Sequence, residues 1–210
     1  NCIFEDQTGN IWFGTDNGIS FFDKNQVPFE YHPINYEMNG KNVGNQINDL
    51  ISDEKGYLWL ATLHGVIRYN STSGEKIIFN QSSPSSKRLV LDNVNNLHLD
   101  RDHRIWIGTT GGLNLWDPRT GEMVRYCADF KSTKSLRSNY ISSFHETDES
   151  FFIGTFQGGL HQALNYRSDP GSIFFRRLKN VEIPVITSDK KYLWFGRTNG
   201  GLFKMNLLSH

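Results

Sequence analysis

Five pairs of residues carry the most promising recognition chemistry in this chain. They are Asp16-Asn17, Leu63-His64, Thr110-Gly111, Phe156-Gln157 and Thr198-Asn199. Each follows a Gly-Thr or its variant and precedes a Gly, and Arg197 replaces the Thr in the last copy. Asp, Asn, His, Gln and Arg recognise hydroxyl and acidic groups through directed hydrogen bonds. A Phe such as Phe156 can stack on a sugar ring. The sequence therefore offers Asp16, Asn17, His64, Phe156, Gln157, Arg197 and Asn199 as ligand contacts. The plainer reading of any one of them is a solvated turn residue.

Catalytic signatures are missing. There is no Gly-x-Ser-x-Gly elbow, His-Glu-x-x-His, phosphate loop or dinucleotide fingerprint. No catalytic residue, metal or cofactor is expected. Asp100-Arg101-Asp102-His103 lacks the Gly and distal Glu of a calcium loop and reads as a solvated turn. His98 and His103 have no metal spacing. A propeller glycosidase or lyase is the competing function. It needs an acid/base set drawn from different repeats, for example Asp16, His64 or Arg197, because glycoside hydrolysis uses paired carboxylates. A protein-interaction scaffold is the third reading.

The elements that position these pairs recur with a period. Gly9-Asn10-Ile11-Trp12-Phe13-Gly14-Thr15 leads into the first pair. The aromatic anchors are Trp12, Trp59, Trp106, Phe152 and Trp194, at intervals of 47, 47, 46 and 42 residues. Such a period marks a solenoid, propeller or array. The second repeat shows which. Gln46 to Asp53 alternates loosely, with Ile47 and Ile51 on one side, and Glu54-Lys55-Gly56 turns. Tyr57–Thr62, Val66–Tyr69 and Glu75–Asn80 follow as further strands, parted by Leu63-His64-Gly65 and Ser71–Gly74. Four short antiparallel strands in about 45 residues make a propeller blade. The fold class is all-β, a β-propeller of about five blades near 1–43, 44–90, 91–137, 138–179 and 180–210. A long loop is expected from Pro33 to Asn45, and no helix.

Each fixed residue has a structural task. The Trp on the second strand fills the wedge between twisted sheets, burying roughly 150–250 Å². The Gly before the Thr admits a neighbouring backbone. The Thr hydroxyl bonds within the turn, and the later Gly supplies a positive φ. Asp6 and Asp53, six residues before their Trp, read as Asx-type turn residues.

Bulk properties agree. Lys and Arg number 22 against 22 Asp and Glu, so no basic stripe argues for nucleic acid. Aromatics reach 13% and are spread along the chain, which suits many small cores. Cys2 and Cys127 form no disulfide framework and read as packing residues.

The pattern Asp-x-x-Gly-x-x-Trp-x-Gly-Thr-x-x-Gly-Leu, visible from Asp6 to Ile19 and in part from Trp106 to Leu113, resembles the two-component regulator propeller repeat. The resemblance spans all five units. It implies the periplasmic sensor region of a hybrid two-component histidine kinase that responds to glycan fragments. The implied partners are an oligosaccharide, the remaining blades and kinase of the same full-length protein, and a second copy in a homodimer. Five units fall short of the seven such sensors usually carry, so an arc of a larger propeller is expected.

Overall fold

The computed structural model describes residues 2–23, 26–38, 41–44, 46–198 and 200–207. The first blade comprises β1 (Cys2–Glu5), β2 (Ile11–Thr15), β3 (Gly18–Asp23) and β4 (Gln26–Pro33). A two-stranded hairpin, β5 (Asn35–Met38) with β6 (Lys41–Gly44), occupies the expected loop from Pro33 to Asn45. The second blade is β7 (Ile47–Ser52), β8 (Leu58–Thr62), β9 (Gly65–Tyr69) and β10 (Lys76–Phe79). The third is β11 (Val94–Leu99), β12 (Ile105–Thr109), β13 (Leu113–Asp117) and β14 (Glu122–Tyr126). The fourth is β15 (Ile141–Glu146), β16 (Phe151–Thr155), β17 (Gly159–Leu164) and β18 (Phe174–Lys179). The fifth has three strands, β19 (Ile186–Ser188), β20 (Tyr192–Gly196) and β21 (Leu202–Asn206). Among the described residues the single helical element is a 3-10 turn at Pro170–Ser172, and no helix is long and apolar enough to cross a membrane.

Every blade is antiparallel, with strands in chain order. The first strands of successive blades touch one another, which places them innermost, around the axis. The core divides into four clusters, one per seam. Trp12 joins Ile47 and Leu50 between blades 1 and 2. Trp59 joins Val94, Leu97 and Trp116 between blades 2 and 3. Trp106 joins Ile141 and Phe151 between blades 3 and 4, and Phe152 joins Ile183 and Phe195 between blades 4 and 5. Four of the five aromatic anchors are therefore seam fillers, as their period predicts, and Trp194 of the fifth blade joins no cluster among the described residues. Neighbouring rings reinforce them, with 4.9 Å between Trp59 and Trp116 and 4.6 Å between Trp106 and Phe151.

The glycine before each Thr faces the next blade. A Cβ on Gly108 would lie 2.7 Å from Ile141 Cγ2, and one on Gly154 would lie 2.6 Å from the Ile183 carbonyl. At Gly108 the neighbour is a side chain rather than the expected backbone.

Three inner strands carry a bulge, at Asn48, Asn95 and Ser142, where the register skips one residue. The bulge turns these side chains sideways, toward the next blade. Asn48 Nδ2 donates to the Val94 carbonyl at 2.7 Å, Asn95 Nδ2 to that of Ile141 at 3.0 Å and Ser142 Oγ to that of Ile183 at 2.6 Å. This corrects the simple alternation read for β7. Ile47 and Leu50 are buried together at the seam with blade 1, whereas Ile51 packs on the opposite seam.

In four of the five blades the first turn is more than an Asx turn. Asp6, Asp53, Asp100 and Asp189 each accept two backbone N–H bonds, and also the indole Nε1–H of Trp12, Trp59, Trp106 and Trp194, at 2.8–3.0 Å. Asp100 is not solvated as expected. It is buried with Arg104, whose guanidinium pairs with it at 2.8 Å and also donates to the Tyr166 carbonyl of the next blade. Of the two cysteines, Cys2 is half-buried against the first seam, but Cys127 is exposed and does not pack.

Candidate functional site

The hairpins joining second and third strands, and the connections between blades, gather at the upper end of the inner strands. Thr15, Thr62, Thr109 and Thr155 each donate a hydroxyl bond across their hairpin to the carbonyl of Gly18, Gly65, Gly112 or Gly159, at 2.8–2.9 Å. The first three hairpins place the positive φ on Gly18, Gly65 and Gly112. The last two do not place it on Gly158 and Gly200, as the sequence suggests, but one residue later, on Gly159 and Gly201. Thr155 reaches the carbonyl four residues on rather than three, so this hairpin is one residue longer.

A cavity of about 490 Å³ opens at this end and spans blades 2 to 5. Its floor is the bulge belt, Asn48, Asn95 and Ser142, with Asn93 and Asn96 beside it. Its rim is formed by hairpin residues Leu63, Phe156 and Thr198 and by Tyr140 and Glu182 from the blade connections. Tyr140 and Phe156 are each 39% exposed with ring centroids 5.2 Å apart, an open aromatic platform. Asn96 Oδ1 is buried without a protein partner among the described residues. Glu182 is the one carboxylate of the lining, which contains no His, Lys or Arg. Behind the floor, Asp49 accepts from Leu97 N at 2.8 Å and Leu50 N at 2.9 Å. Burial pushes its carboxyl up to about 6, outweighing those bonds.

The structure brings some of the predicted contacts together and separates others. Phe156 lines the mouth. Gln157 and Arg197 line an adjoining cavity of about 410 Å³ that shares Glu182 and Thr198 with it. His64 is half-buried, its backbone N–H bonded to Thr62 Oγ1 at 3.0 Å, and its neighbour Leu63 faces the mouth instead. Asp16 and Asn17 are exposed on blade 1, outside this cavity, and the Asn17 carbonyl accepts the Tyr31 hydroxyl at 2.6 Å. Asn199 lies outside the described residues. The asparagine floor lies on the inner strands, outside the hairpins that the sequence offers as contacts. Its signal was the recurrent polar pair after the first apolar residue of each inner strand, Asn48-Asp49, Asn95-Asn96 and Ser142-Ser143.

Chemically the mouth offers amide donors and acceptors, one carboxylate and a stacking face. No group of three or more His, Cys, Asp or Glu among the described residues is arranged to hold a metal ion.

Comparison with known proteins bears on the fold. Residues 1–17 and 89–111, in the first and third repeats, match the two component regulator propeller family. No curated protein matches the chain. Among solved structures, the extracellular domain of a hybrid two component system from B. thetaiotaomicron is similar with a TM-score of 0.75 and 23% identity, over 99% of this chain and 28% of that one. A second such domain from the same organism gives 0.65 and 20%, over 97% and 35%. A catalytically inactive virginiamycin B lyase from Staphylococcus aureus, solved with quinupristin, gives 0.68 and 12%, over 99% and 70%. At these identities the likeness is one of fold, the β-propeller. The chain spans about a third of the length of those two extracellular domains.

Proposed function

We propose that this chain is the ligand-sensing part of an extracytoplasmic β-propeller in a hybrid two-component histidine kinase. Its mouth binds a glycan fragment, and the placement of propellers or of dimer partners relays that binding to the kinase. The observation that carries this reading is the Tyr140–Phe156 platform beside an asparagine floor, with the Asn96 carbonyl oxygen unmatched. Sugars present apolar ring faces to aromatics and hydroxyls to amides. The regulator propeller repeat and the likeness to the extracellular domains of two hybrid two component systems support the sensor class and an extracytoplasmic location.

A binding role is favoured over turnover by the lining. One carboxylate without a partner carboxylate or histidine lacks the acid/base pair that glycoside cleavage uses. Calorimetry of the intact extracytoplasmic region against an oligosaccharide panel tests the proposal. Saturable heat with one glycan, lost in Tyr140→Ala and Phe156→Ala, is expected. No heat with any glycan overturns the carbohydrate reading, and turnover of one overturns the non-enzymatic reading.

A further inference from the structure

The seam between blades 2 and 3 holds a smaller cavity, of about 80 Å³, on the lower face where the aspartate turns lie. Trp59, Trp116, Leu99 and Ile105 wall it, and Arg68 and Pro118 flank it. Trp116 is 8% exposed, yet its indole Nε1, its one polar side-chain atom, has no acceptor among the described residues. Arg68, which lines the same cavity, also has its Nε buried without an acceptor among the described residues.

The preceding seam shows what is missing. By strand register, Tyr69 faces Leu58 as Trp116 faces Ile105. Phe21 faces Trp12 as Arg68 faces Trp59. His32 faces Ile19 as Phe79 faces Val66. Between blades 1 and 2 the Tyr69 hydroxyl and His32 Nδ1 bond at 3.1 Å. Between blades 2 and 3 the His position is Phe79, which offers no acceptor, while Trp116 and Arg68 bring two donors. A buried donor left unmatched is costly, and such groups in native proteins have a reason.

The charges nearby narrow the partner. Arg68 Nη2 already pairs with Asp53 Oδ2 at 3.2 Å, and Glu54 Oε1 lies 3.1 Å from His103 Nδ1 at the entrance. The Asp53 carboxylate disfavours a second anion beside it. At roughly 30 Å³ per liquid water, the cavity admits about three waters or one small acyl group. We propose that this seam is a second binding site, for a neutral acetamide-type group. Its carbonyl oxygen accepts from Trp116 Nε1 and Arg68 Nε, and its methyl lies against the indoles. This proposal stands apart from the glycan reading of the mouth.

The test uses the whole chain and N-methylacetamide as the probe, followed through the indole N–H resonances. The Trp116 signal is assigned by its loss in Trp116→Phe. Saturable movement of that signal is expected, with the Trp12, Trp106 and Trp194 indoles unmoved. Arg68→Met is expected to weaken the response about tenfold, and its unchanged Trp106 signal reports intact folding. Acetate is expected to bind several-fold more weakly. Absence of saturable movement overturns the site and leaves it to water. Uniform movement of all indoles, or acetate binding as well as the amide, overturns the assignment of a neutral acceptor.

Discussion

On the lower face, four of the five blades close their first turn with the same bond, an aspartate receiving the indole N–H of its own tryptophan. On the upper face no two hairpins carry the same pair of residues. Blade 4 explains the difference. It lacks both partners at once, with Thr147 at the turn and Phe152 on the strand. Phe152 has no N–H to satisfy, and Ser150 N donates to Thr147 Oγ1 at 3.1 Å to close the turn. The lower turn thus behaves as one unit, because a buried indole N–H needs an acceptor. The upper hairpin needs only its Thr bond and a residue with positive φ. Its remaining positions differ from blade to blade and can serve a ligand.

The sharpest way to break this contrast is Asp100→Ala. It leaves Arg104 charged and buried without its partner, and the Trp106 indole without its acceptor. A loss of about 3–5 kcal/mol is expected in denaturant unfolding. The double variant Asp100→Leu/Arg104→Met recovers much of that loss, since both charges go together.

The next effect lies where the upper hairpins meet the neighbouring blade. Gly154→Ala places a Cβ 2.2 Å from Ser143 Oγ and 2.6 Å from the Ile183 carbonyl, and overpacking of this kind costs about 1–3 kcal/mol. Gly56→Ala on the lower face meets no atom within 4 Å. Only its φ of +77° is strained, at about 1–2 kcal/mol. Chemical denaturation of the two variants ranks them, and a larger loss at Gly56 contradicts the close-packed seam.

Two buried groups oppose each other in pH. Burial drives His161 down to about 4. Its contribution is present above the ordinary pKa of about 6.5 and is lost as pH falls toward 4. Asp49, raised to about 6 by burial, does the reverse. Its contribution is full below the ordinary carboxyl value of 3.8 and is lost as pH rises through 6. Between pH 4 and 6 the two slopes offset. His161→Gln should therefore leave stability falling as pH rises across that window, and Asp49→Asn should leave it rising. Melting temperatures across pH 4 to 7 distinguish them, and parallel profiles contradict the assignments.

The smallest structural effect is expected at the mouth. Phe156→Ala changes stability by less than about 1 kcal/mol, because the ring is exposed, yet it removes glycan affinity at least tenfold. Asp16→Ala, outside the cavity, leaves both unchanged within about 0.5 kcal/mol. Calorimetry and thermal unfolding of the pair separate recognition from architecture.

The blades were legible because their requirements are local. A strand of apolar and aromatic residues, a Gly with positive φ and a turn Asp are each recognisable within ten residues. Repetition at 47, 47, 46 and 42 residues then tied them to one architecture. The β5–β6 hairpin was missed although Ile34, Tyr36 and Met38 alternate with Asn35 and Glu37 ahead of Asn39-Gly40, because the β6 segment offers a single apolar residue, Val43, as the matching half. The mouth was only partly legible. Phe156, Gln157 and Arg197 were found as hairpin residues, but Tyr140, Asn95, Asn96 and Glu182 come from other elements that converge with them only in space.

The sequence by itself determined the blade, the seam aromatic and the turn chemistry, because these follow from side-chain size, backbone sterics and hydrogen bonds between near neighbours. Tertiary structure alone decided which blades share a cavity. It set the bulges that aim Asn48, Asn95 and Ser142 across the seams. It also buried Asp100 with Arg104 and left the indole of Trp116 without an acceptor. The physical reason is the same in each case. The carbonyls that the bulge belt and Arg104 bond belong to the next blade, 41 to 62 positions away, so no single turn or strand fixes them.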